Sequence, residues 1–183
     1  MGVRAFRARP FGHGWDLLGH AEFPQNTHQQ GDEHTVAATL QDILFTPDVW
    51  PKVTADCLNL IEQEVSDKPG VSGTAVKVAY KTVKTFKPGY LHSMMEALLP
   101  DIVDKLQPYW ADFNASGASE FGDYLVKRSE EVSEALLSVT DKHAESSERP
   151  AILKAYRAVR GGAAKHVAAA LPRVGALVQK YGA

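Results

Sequence analysis

The chain has 183 residues, 44% of them hydrophobic and 23% charged, with a formal net charge of −2. Such a composition excludes wholesale disorder, and such a length suffices for one domain with a core of its own. The near-neutral balance gives no global attraction to nucleic acid or to an anionic membrane, so binding of either kind needs a local patch.

Cys57 is the single cysteine, which rules out an internal disulfide and a Cys-rich zinc site. No stretch has the length and apolarity of a membrane span. Residues 1–20 lack the unbroken apolar run of a signal peptide, so a cytoplasmic location is expected. Residues 1–34 show no sustained periodicity and read as a flexible tail, whereas residues 35–183 read as a single all-helical domain.

In chain order, Thr35 is placed to cap a first helix with Val36, Leu40, Ile43 and Leu44 on one face. Pro47 and Pro51 suit first helical turns, and Val53, Cys57, Leu60, Ile61 and Val65 form the next stripe, broken at Asp67-Lys68-Pro69-Gly70. The segment from Ser72 to Phe86 is apolar over most of its circumference, which predicts a helix central in a bundle. Its polar edge is a stripe of Lys77, Lys81 and Lys84 within roughly 60°, with Lys87 beyond. From Tyr90 to Phe113 the spacing is helical again, and Pro100 and Pro108 are expected to start new segments or kink it. After a linker at residues 114–117 comes one long helix over 119–143, with Phe121, Leu125, Val132, Leu136 and Val139 inward. The final segments are expected to be separated at Gly161-Gly162 and interrupted at Pro172. Val83 and Leu136 lie at the centres of their apolar arcs and are expected in the core. No segment alternates like a strand, so the fold class is all-α, a multi-helix bundle.

Three short matches point to an internal duplication. Residues 65–68 match 139–142, residues 79–84 match 155–160, and residues 97–100 match 169–172. The reading is two pseudo-repeated helical halves, over 45–113 and 119–181, sharing one core. Four stretches, Pro69–Lys77, Phe121–Leu125, Val139–Lys142 and Ala170–Gly175, resemble an uncharacterised all-helical family of actinobacteria over about residues 36–181. The resemblance implies a bacterial cytosolic protein and no known activity.

Candidate chemistry is sparse. Cys57 lies on an apolar stripe, where cysteine is usually an inert small hydrophobe. The seven histidines form no i, i+3 or i, i+4 pair, and the clusters Glu62/Glu64, Asp101/Asp104 and Glu130/Glu131/Glu134 fall on polar helix faces. No catalytic residues, metal site or cofactor are therefore expected. The turn Pro69-Gly70-Val71-Ser72-Gly73 could present backbone N–H groups to a phosphate, but reads first as an interhelical turn.

Arg157 and Arg160 match Lys81 and Lys84 in the other half. Lys77, Lys81, Lys84, Arg157 and Arg160 could thus form two basic edges gripping a polyanion, or could simply rim buried helices. The favoured expectation is a non-enzymatic protein acting through an unknown protein partner or as a homodimer, with Trp50, Tyr109 and Trp110 as exposed aromatics. Nucleic-acid binding through the basic edges is one alternative. An apolar small molecule bound between the helical halves is the other.

Overall fold

A computed structural model describes residues 38–182, so the tail assigned to residues 1–34 and the cap at Thr35 lie outside the described residues. Seven helices follow in order: α1 (Leu40–Leu44), α2 (Trp50–Asp67), α3 (Gly70–Thr85), α4 (Tyr90–Ser116), α5 (Phe121–Val126), α6 (Ser129–Glu145) and α7 (Pro150–Gly182). The described residues contain no strand. The fold is an all-α bundle.

Local chemistry sets most of the helix ends. Thr39 accepts from the Asp42 amide while the Asp42 carboxylate accepts from the Thr39 amide, a reciprocal cap that starts α1. Pro51 occupies the first turn of α2, where its missing donor removes no intrahelical bond. Gly89, with φ of 75°, and Gly117, with φ of 70°, take the left-handed conformation that separates α3 from α4 and ends α4.

Interior prolines and glycines behave differently. Pro100 and Pro108 lie inside one continuous α4, and Gly161, Gly162 and Pro172 inside one continuous α7. At the prolines the expected breaks are absent because flanking apolar side chains are buried, whereas Gly161 and Gly162 are exposed and cost the helix only about 1 kcal/mol each. Leu98, Leu99 and Val103 flank Pro100, and Leu171 and Gly175 flank Pro172. Burial of each large side chain contributes about 1.5–3 kcal/mol, enough together to offset the roughly 3 kcal/mol of an interior proline. Conversely, the long helix expected over 119–143 is two helices, broken at Lys127-Arg128 between α5 and α6.

The architecture rests on the two longest helices. α4 and α7 scarcely approach each other's backbone, while α1, α2, α3, α5 and α6 each pack against both. The space between the two pillars is filled very differently at its two ends. At one end Trp110 and Phe113 of α4 meet Phe121 and Tyr124 of α5, with ring centroids 5.0–5.8 Å apart, in a cluster closed by Leu40, Leu44, Leu125, Leu171 and Val178. There α5 lies directly on α7: a Cβ added at Gly175 would stand 2.3 Å from the Cα of Gly122, and one at Gly122 would stand 2.7 Å from the carbonyl oxygen of Pro172. Only two glycines permit so close a crossing.

The other end is loosely filled. α3 packs on α7, α2 and α4, yet buries only Gly73, and leaves Val71 90% and Val78 62% exposed. It is a peripheral cover and not the central helix its composition suggested. Val83 and Leu136, expected in the core, are half-buried.

The halves matched in sequence do not adopt equivalent elements. The first is divided into α3 and α4 at Lys87-Pro88-Gly89, whereas its counterpart runs unbroken through α7. Asp67, matched to Asp141, pairs with Arg173, while Asp141 pairs with Arg160.

Candidate ligand cavity

Residues that a well-packed bundle would press together here face open space. An inner cavity of about 350 Å³ is walled by Leu60 and Ile61 of α2, Leu99 of α4, Leu136 and Leu137 of α6, and Val167 of α7, among other apolar side chains. An outer cavity of about 590 Å³ adjoins it, formed by the end of α3, the start of α4, the end of α6 and the start of α7. Val65, Val76, Thr140 and Val159 line both, so the two meet at a waist. Val83 lines the outer chamber and Leu136 the inner one, which is why neither is fully buried.

Polar groups gather at the outer chamber. Tyr80, Lys87, Tyr90, His143 and Arg149 line it, as do Ser146 and Ser147. The Arg149 guanidinium lies 5.1 Å from the Tyr90 ring centroid and 6.0 Å from that of Phe86, within cation–π range of both. Sequence reading missed Arg149, His143 and Tyr90. Each is isolated in the chain, and only the convergence of four helix ends brings them together.

Tyr156 marks the wall between cavity and surface. Its hydroxyl donates to Asp141 at 2.6 Å, and Arg160 Nε donates to the same carboxylate at 2.8 Å. Arg160 first and Tyr156 second hold the Asp141 carboxyl below the usual range, and the same pairing raises Arg160. A carboxyl depressed on folding stabilises above its unfolded value of about 4, and that stabilisation is lost as pH falls through the lower folded value. Asp141→Asn should therefore lower the urea midpoint near pH 7, with the gap to the parent chain closing below about pH 4. An equally wide gap at pH 3 would show that the carboxylate's charge is not what matters.

The five basic residues proposed from the sequence are not brought together as a free cationic patch. Lys77 and Lys81 are exposed on α3, and Arg157 is exposed on α7. Lys84 pairs with Glu62 and lies 5.5 Å from the Tyr80 centroid, while Arg160 is held by Asp141 and Glu134. Two of the five are thus already matched to carboxylates. Among the aromatics expected at the surface, Trp110 is 4% exposed and belongs to the core, and Trp50 and Tyr109 are half-buried.

Two nucleophile candidates have unfavourable surroundings. Burial, with Asp56 adding to it, pushes the Cys57 thiol up to about 12, so it stays protonated against the inner cavity. Ser72 Oγ lies 3.1 Å from His166 Nε2, and burial lowers the His166 pKa, but no carboxylate orients that ring among the described residues. The pair reads as a link between α3 and α7. No grouping of three or more potential metal ligands occurs among the described residues, and no helix among them is long and apolar enough to cross a membrane.

A model of a family of unknown function, DUF6918, matches residues 40–182, the whole helical bundle. The chain belongs to DUF6918. No curated protein and no solved structure matches it.

In this DUF6918 chain, the stretches that carried the resemblance have structural reasons to be as they are. Phe121–Leu125 and Ala170–Gly175 are the two sides of the Gly122–Gly175 crossing. Val139–Lys142 supplies Thr140 at the waist and Asp141 beside Tyr156. Pro69–Lys77 contains Gly73, where a Cβ would stand 2.5 Å from the Lys68 carbonyl oxygen. It is a tight turn between α2 and α3.

Proposed function

We propose that the protein binds an apolar or amphipathic small molecule between α4 and α7, as a carrier or sensor and not as a catalyst. The observation that carries this reading is the inner cavity of about 350 Å³ bounded almost wholly by aliphatic side chains. Ligand pockets typically measure about 300–1,000 Å³ and are mostly apolar with a few convergent polar groups. The protonated thiol of Cys57 and the unsupported Ser72–His166 pair argue for binding over catalysis.

The test uses N-phenyl-1-naphthylamine, an uncharged probe that fluoresces in apolar surroundings. It is expected to bind the full chain with one-to-one stoichiometry. Val159→Trp, which plugs the waist, should abolish binding while circular dichroism stays helical, and Val76→Phe from the facing wall provides a smaller plug. Absence of binding by the parent chain, or equal binding by both plugged variants, would overturn the proposal.

The reading as a protein-contact module rests on a different surface, the outer face of α3 with Val71 and Val78 exposed beside Lys77 and Lys81. It loses Trp110, which the core takes. The polyanion reading requires Lys84 and Arg160 to leave Glu62, Asp141 and Glu134, so the cavity is the better-supported site.

A further inference from the structure

We infer that the ligand is a single-chain anionic amphiphile, with its head at Lys87 and Arg149 and its tail passing through the waist into the inner cavity. The inference rests on the binding reading above and adds the ligand's charge and direction.

The two chambers differ in polarity in a way that orients an occupant. The outer chamber is lined by two full cations, Lys87 and Arg149, by His143 and by several hydroxyls, with no carboxylate in its wall. Neither Lys87 nor Arg149 has an ion-pair partner among the described residues. Arg149 is instead positioned by Phe86 and Tyr90, which leaves its donors available to an anion. Among the acids near the chamber, Asp141 is engaged with Arg160 and Tyr156, and Asp101 with Lys142 and His143, while Glu145 and Glu148 are exposed and do not line its wall.

The inner chamber offers the opposite. Its one wall carboxylate, Glu64, is paired with Lys68 and Arg173, each at 2.9 Å, and the rest of the wall is aliphatic apart from Cys57, Thr140 and His166. An anionic head placed there would lose its hydration with no free cation to compensate.

The length fits as well. Arg149 precedes Val159 by ten residues and Lys87 follows Val76 by eleven, so at helical rise the cations stand roughly 15 Å from the waist. That is about the depth of one leaflet of a bilayer's hydrocarbon core. A longer tail enters the inner chamber, which continues along α7 to Val178.

The experiment measures displacement of N-phenyl-1-naphthylamine by palmitate, hexadecyl phosphate, hexadecanol and hexadecyltrimethylammonium, all below their aggregation concentrations. Both anions are expected to displace the probe about tenfold more effectively than the alcohol, and the cation least. The Lys87→Glu, Arg149→Glu double variant should remove the anions' advantage over the alcohol, each displacement being read against that variant's own affinity for the probe. Equal displacement by alcohol and anions, or an advantage that survives the double reversal, would overturn the inference and leave the apolar-binding reading standing. If the probe does not bind the parent chain at all, both fall. A palmitate-only advantage identifies a carboxylate head, and a phosphate-only advantage a phosphate head, each within the anionic class.

Discussion

Gly175→Ala is expected to destabilise the bundle by about 3 kcal/mol or more, the upper part of the range for an overpacked site. The added methyl would stand 2.3 Å from both Cα and N of Gly122 and 2.8 Å from the carbonyl carbon of Phe121. These are backbone atoms, so no rotamer change can relieve the contact; α5 must lift from α7. That movement would open the aromatic cluster, since Phe121 is fully buried and begins α5. Gly161→Ala on the same helix meets nothing within 4 Å and should instead be neutral or slightly stabilising. Urea unfolding of the two variants beside the parent checks both signs. A Gly175→Ala variant as stable as the parent would show that α5 and α7 are further apart than described.

Phe121→Ala and Leu136→Ala should separate the dense end from the hollow end. Phe121 has no exposed surface and touches the rings of Trp110, Phe113 and Tyr124, so its truncation is expected to cost about 3–5 kcal/mol. Leu136 is half-buried on the wall of the inner cavity, where part of its surroundings is already empty. Its truncation should cost roughly 1 kcal/mol, because few contacts are there to lose. Equal losses at the two positions would mean that the cavity closes around Leu136 in solution.

The fold class was legible because helical periodicity is dense and strand alternation absent. Turns at Asp67–Gly70 and Lys87–Gly89 were legible because glycine and proline act there through local backbone geometry. The same residue types misled at Pro100 and Pro172, where burial of flanking side chains overrides the local cost, and at Gly161-Gly162, where the cost is small enough for an exposed stretch of helix to continue. Periodicity also reported which side chains of α3 are apolar without reporting what stands opposite them. Valines facing a void have the same spacing as valines facing each other, so the cavity had no signature. Trp110 was misjudged because its partners, Phe113 apart, come from α5 and from the far end of α7, whose Gly182 lies against its ring.

The position of α7 has a consequence for synthesis. It is the last of the described helices in chain order, and α1, α2, α3, α5 and α6 all pack on it. While a ribosome is still making it, at about 5–20 residues per second, the earlier helices can close on α4 alone, one of the two pillars they share. The apolar faces that turn toward α7 stay uncovered for several seconds, until that helix has been made.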